Sequence, residues 1–176
     1  METFAPARVP VANPLFPVQK RESLAGLISG MLDAPLVEMI NALNALSYCF
    51  TLQSCYGHFL YPGQKEAHNL DPLPHTRSMA TVEYRIAYLA FCVEWGAPGE
   101  RLLGHMSQIA ARDPNHIQFG SPGWFWALQV NSYALQVEPL RFKDQDRVVL
   151  DYGEALHVEH VRNRVFNQLN ELLQKL

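Results

Sequence analysis

The sequence predicts a single α+β domain with a mostly antiparallel sheet and helices packed against it. Three observations lead there. The chain has 176 residues, enough for one core and too short to divide comfortably into two. Amphipathic helical segments and short β-rich segments follow one another as helix, strand, strand, helix, several strands, helix, with no regular βαβ alternation and no internal repeat. Breakers and polar turns bound the later β-rich segments, Gly96 with Pro98, then SPG, then KDQD.

Element by element, prolines at 6, 10, 14 and 17 keep residues 1–19 from a helix, so residues 1–20 are expected to form an extended or disordered arm and residues 21–176 the domain. Leu24, Leu27, Ile28 and Met31 then follow helical spacing. Asp33 can cap a second helix with Pro35 in its first turn and Leu36, Ile40 and Leu43 on one face. SYCFTLQSC, residues 47–55, reads as a strand. Tyr48, Phe50 and Leu52 lie on one face, and the smaller, more polar Cys49, Thr51, Gln53 and Cys55 on the other.

From Gly57 to about Thr81 no periodicity survives, and a loop of that length is usually functional or disordered. It carries His58, His68 and His75. VEYRIAYLAFCVE is expected to be one central strand, apolar on both faces over much of its length. Residues 98–112 have the spacing of a helix that turns Leu102, Leu103, Met106 and Ile109 inward. IQFG and WFWALQVNSYALQVEP are expected to pair as strands around SPG, with Asn131 and Ser132 marking a bulge or break. VVLDY is a short strand, and the final helix presents Val158, Val161, Val165, Leu169 and Leu172.

Composition narrows the functional classes. A formal charge of −3 provides no general attraction for a phosphate backbone, so there is no strong nucleic-acid signal. Arg162 and Arg164 form a small basic pair, whose simpler reading is a solvated helix face. No apolar run reaches the roughly 20 residues needed to span a bilayer. The start of the chain lacks the pattern of an export signal, and three cysteines are too few for a disulfide framework. A soluble cytoplasmic protein with reduced thiols is the expectation, with its oligomeric state undetermined.

The chemistry-bearing cluster is LQSCYGHF. A thiol becomes a nucleophile or metal ligand as thiolate, and an imidazole three residues away across a glycine turn is placed to promote that, which makes Cys55 and His58 candidate catalytic residues. The alternatives are that both line a ligand pocket, or that Cys55 is a buried thiol beside a turn. A zinc site from Cys55, His58, His68 and His75 lacks the second tight ligand pair such sites show, so no metal is expected there. On the last helix, Glu154 and His157 have Glu-x-x-His spacing and His160 lies one turn on, but no second such motif accompanies them. His157 and Asn131 are retained as further contributors to a pocket. Nucleotide-binding glycine loops and the G-x-S-x-G elbow are absent.

Ser54, Cys55 and Gly57 also match a signature of the wybutosine-synthesis methyltransferase family, in which a strand rich in serine and threonine ends in Ser-Ser-Cys-x-Gly-Arg. The sequence resembles that family in its order of elements as well. His58 stands where the family has arginine, and Gln53 where it has the first serine. The resemblance implies an α+β fold, S-adenosylmethionine as cofactor, and methyl transfer to a nucleoside or related small molecule. Thr51, Gln53, Ser54, Cys55, Gly57 and His58 would then lie at the binding site. The readings from other classes are a non-catalytic binding domain that uses the arm and loop, and a metal-dependent hydrolase built on Cys55 and histidines.

Overall fold

The computed structural model describes residues 5–27, 29–64, 66–75, 79–143 and 145–176. It is one α+β domain with two antiparallel sheets. Seven strands are present among the described residues: β1 (Cys49–Cys55), β2 (His58–Leu60), β3 (Thr81–Arg85), β4 (Ala87–Val93), β5 (Ile117–Gly120), β6 (Ser132–Val137) and β7 (Arg147–Asp151). One sheet has the order β1-β4-β6-β5 and the other β2-β3-β7. The helices are α1 (Phe16–Gly26), α2 (Val37–Ala45), α3 (Ala97–Ala110), α4 (Gly123–Leu128) and α5 (Tyr152–Leu173).

The larger sheet separates two apolar clusters. On one face, Cys49, Leu89, Phe91, Val93, Tyr133 and Leu135 join side chains from α2, α3 and α5 in the main core. On the other, Phe50 and Cys92 meet Phe16 of α1, whose ring lies 5.3 Å from that of Phe50. Strand alternation sends neighbours such as Phe50 and Cys49 into these separate clusters.

VEYRIAYLAFCVE is not the single strand its apolar content predicts. It breaks at Ile86 into β3 and β4, which belong to different sheets. The junction is held by Tyr84, fully buried, whose hydroxyl donates to the Val137 carbonyl at 2.8 Å and accepts from the Ala87 amide at 2.9 Å. A buried amide must find an acceptor, and here a side chain supplies the one that an unbroken ladder would have provided. Hydrophobic content alone cannot reveal such a switch.

Other expectations are corrected locally. The loop after Gly57 contains β2, which pairs with β3. WFWAL lies in the short helix α4 and not in a strand; the paired strand β6 begins only at Ser132, after Asn131 at φ 62°. Helix α1 begins at Phe16, inside the expected arm, because Pro17 sits in the first turn, where a missing N–H costs nothing. Ile28 of the expected helical stripe lies outside the described residues.

The remaining arm is tied to the body. The Ala5 carbonyl accepts from the Ser121 amide, the Arg8 amide donates to Ser121 Oγ, and the Tyr133 hydroxyl donates to the Arg8 carbonyl. Asn131 clamps Val11 from both sides, its Oδ1 accepting from the amide at 2.8 Å and its Nδ2 donating to the carbonyl at 2.7 Å. The arm passes so close to Gly120 that a Cβ there would lie 1.7 Å from the Ala5 oxygen. Arg162 is also relocated. It is 4% exposed and donates to the Gly57 carbonyl at 2.9 Å, with its guanidinium 4.4 Å from the Tyr56 ring centre. It is a core residue, not half of a basic patch.

Candidate functional site

Position 52 decides what β1 presents. Cys49, Phe50 and Thr51 pair with Val93, Cys92 and Phe91, but Gln53 pairs with Ala90, so the register shifts by one residue. A one-residue shift moves every following side chain to the opposite face. Cys49 therefore enters the main core while Gln53 and Cys55, expected on the same face, turn away from it beside Ala90 and Tyr88.

There they line a cavity of about 390 Å³. Ser54, His58 and His68 contribute from the same region of sequence, Tyr88 from β4, Ala134 and Gln136 from β6, and Trp124 and Phe125 from α4. Arg85, Asp146 and Arg147 add charges of both signs, and Met31 and Asp33 complete one side. The Tyr88 hydroxyl reaches Gln53 Oε1 at 3.4 Å.

His58 is 2% exposed and both its ring nitrogens face oxygens. Nε2 lies 3.3 Å from Asp33 Oδ2, and Nδ1 lies 3.2 Å from the Asn69 carbonyl. Neither oxygen can donate, so only the doubly protonated ring satisfies both. The hydrogen bond to Asp33, assisted by the Cys55 side chain, pushes the His58 pKa up to about 10. Burial pushes the Asp33 carboxyl up, but hydrogen bonds from His58 and from the Tyr56 amide, at 2.7 Å, outweigh it and hold the group below its usual value. At neutral pH His58 is thus an imidazolium and cannot accept a proton as a general base.

Of the three thiols, none of which forms a disulfide, Cys49 and Cys92 are buried and only Cys55 is partly exposed. Burial raises the pKa of Cys49, and pushes that of Cys92 up to about 12. These two are inert packing residues. Cys55, Asp33 and His58 bring one potential ligand atom each within 4.8 Å of one another. A metal there would have to displace a proton from a ring whose nitrogens are both committed, which weighs against ligation.

Gly57 makes the arrangement possible. Its φ is +89°, and a Cβ would lie 2.8 Å from Ala87 Cβ and 3.0 Å from the Tyr84 hydroxyl. It shapes the turn and is not among the cavity's lining residues. Thr51 faces away, bonded through its amide and hydroxyl to Asn44 of α2. Asn131 serves the arm, and His157 lies elsewhere, 3.8 Å from Asp113. His68 stands edge-on to His58 with ring centres 5.4 Å apart, whereas His75 is exposed. The residues that sequence reasoning missed are Asp33, Arg85, Tyr88, Trp124, Phe125, Gln136, Asp146 and Arg147. Asp33 was legible only as a helix cap, yet its side chain makes no capping bond and turns to His58 and Tyr56 instead.

No protein-family model matches the sequence, and no curated protein matches it. A solved structure does. The fold is similar to that of the PH1069 protein from Pyrococcus horikoshii. The TM-score is 0.51 at 14% identity, over 91% of this chain and 93% of that one. At that identity the likeness concerns the α+β architecture alone. No helix among the described residues is long and apolar enough to cross a membrane.

Proposed function

We propose that this protein is an enzyme whose cavity binds a nucleoside-type molecule, with S-adenosylmethionine-dependent methyl transfer to a nucleoside or related small molecule as its reaction class. One observation carries the reading: the cavity at the end of the Ser54, Cys55, Gly57 signature combines aromatic rings, amides and charges of both signs in about 390 Å³. An adenosyl group needs a ring to stack on and amides to bond its edge, which Trp124, Phe125, Tyr88, Gln53 and Gln136 can supply. A methionine-like end carries both a carboxylate and an ammonium, which Arg85 or Arg147 and Asp146 can complement. When bound, S-adenosylmethionine supplies an electrophilic methyl group.

The chain's own residues orient and charge the site in this reading. The His58 imidazolium holds Asp33 ionised and fixes the turn behind Cys55, and the Cys55 thiol faces the ligand. The unpaired thiols of Cys49, Cys55 and Cys92 fit a reducing, cytoplasmic compartment.

Calorimetry with S-adenosylmethionine tests the proposal. We expect saturable binding by the wild type and an affinity about tenfold lower in Trp124→Ala, corresponding to about 1.4 kcal/mol of lost stacking. Absence of binding at high protein concentration overturns it. Transfer of labelled methyl groups to a nucleoside mixture separates an enzyme from a domain that only binds. A rival in which the arm captures a protein partner is disfavoured by the arm's bonds to Ser121, Asn131 and Tyr133.

A further inference from the structure

Away from the cavity, Asp113, His116 and His157 bring one carboxylate oxygen and two imidazole nitrogens within 4.8 Å of one another. We propose that these three residues form a binding site for a divalent transition-metal ion of the zinc class, with an open coordination position facing solvent. Nothing in the cavity described above is needed for it, and it does not depend on the methyltransferase reading.

The geometry is close to what such an ion requires. Four ligands on a tetrahedron with bonds of about 2.1 Å stand roughly 3.4 Å apart. Asp113 turns Oδ1 toward His116 Nδ1 at 3.1 Å and Oδ2 toward His157 Nε2 at 3.8 Å. A single oxygen of it lies within 4.8 Å of a nitrogen on each ring, so the ligand atoms need to draw together toward that spacing around an ion. The two rings lie 4.6 Å apart at 70°, which lets two nitrogens approach one point without stacking.

The backbone beneath the ligands is ordered. The Asp113 carbonyl accepts from the amides of both His116 and Ile117, at 3.0 and 2.8 Å, so Asp113 and His116 share a rigid turn between α3 and β5. His157 comes from the second turn of α5, a 22-residue helix. An ion would join two segments distant in sequence, the turn after α3 and the start of α5.

Access and competition also favour this cluster over the other His-containing one. The His157 side chain is 50% exposed, while those of Asp113 and His116 are 17% and 19% exposed, so the site is open on one side. At His58, by contrast, both nitrogens are already committed. The neighbouring Glu154 is held by two bonds from Arg141, at 2.6 and 2.5 Å, which keep its carboxyl below the usual range. It is committed to Arg141 and is not offered as a fourth ligand, leaving that place to water or an exogenous group. The Glu154/His157 pairing visible in the sequence thus finds its partners in the chain-distant Asp113 and His116, not in a second helical motif.

The test uses the full chain without a histidine tag and with zinc or cobalt ion alone as probe. Equilibrium dialysis should show one zinc ion per chain, and the melting temperature should rise by roughly 5–10 °C at a hundredfold excess over Kd. His116→Ala and His157→Ala should each weaken binding at least about tenfold, while Cys55→Ser leaves it unchanged. The cobalt complex should lack a thiolate charge-transfer band. Circular dichroism of His157→Ala, altered at a half-exposed position, verifies that the variant is folded. Absence of stoichiometric binding overturns the proposal. So does binding that survives His157→Ala, or that Cys55→Ser abolishes with a thiolate band present in the wild type.

Discussion

Asp33 and His58, 25 residues apart, meet with Oδ2 and Nε2 separated by 3.3 Å and with the imidazole almost wholly buried. A paired buried cation is stable only while its partner is charged. Replacing Asp33 with Asn should therefore cost about 3 kcal/mol near pH 6 and bring the His58 pKa down from about 10 toward or below its ordinary 6.5. The sign in pH follows from the directions of the two shifts. His58 binds its proton more tightly in the folded chain, so its contribution is fully present below pH 6.5, declines above it, and is gone past about 10. Asp33 has a lowered value, so its contribution is present above 3.8 and disappears as the pH falls through the folded value. The difference in melting temperature between wild type and Asp33→Asn should be greatest between about pH 4 and 6.5, and histidine NMR titration should show one ring still protonated at pH 8. A His58 resonance titrating near 6.5 in the wild type would refute the pairing.

Gly57→Ala should destabilise the protein by about 2 kcal/mol from its left-handed backbone alone, with a further cost from contact with Ala87 and Tyr84. The Gly57 carbonyl also receives the buried Arg162 guanidinium, so a shift of this turn disturbs that bond too. Chemical denaturation of the variant gives the loss directly. A loss below about 0.5 kcal/mol would show that the turn relaxes without strain.

Asn131→Ala removes both bonds to Val11 and places a Cβ-bearing residue without a compensating polar side chain at φ 62°. We expect a stability loss of about 2 kcal/mol and faster tryptic cleavage at Arg8, whose carbonyl is otherwise held by Tyr133. Asn131→Gly relieves the backbone while still losing the clamp, so it should match the alanine variant in cleavage and exceed it in stability. Unchanged cleavage in both would mean that Asn131 does not secure the arm.

How much of this was readable before folding depends on the range of the interaction. The α5 stripe of Val158, Val161, Val165, Leu169 and Leu172 is a local periodicity; the first four are buried as the spacing requires, while at the last turn Leu173 is buried and Leu172 only half-buried. The Cys55 and His58 neighbourhood was recognisable as a place where a strand ends and polar chemistry begins. The role of His58 was not, because a lone imidazole in sequence reads equally well as base, ligand or cation. What makes it a cation is Asp33 on one side and the Asn69 carbonyl on the other, neither part of the motif.

By itself, then, the sequence determined the α+β class, the inward faces of α2 and α3 and most of that of α5, and the segment from which the cavity's thiol comes, since these follow from residue type and spacing along a few turns of chain. The Leu24, Leu27 and Met31 stripe is exposed instead, because α1 ends at Gly26 and buries only Phe16. Only the tertiary structure decided which side of the sheet that thiol faces, through the register shift between Thr51 and Gln53. It alone divided the β3–β4 segment between two sheets, and it alone brought Asp113 and His116 to His157. Each of these outcomes depends on pairing between distant segments, where one residue of register or one satisfied amide changes the answer while the local pattern stays the same.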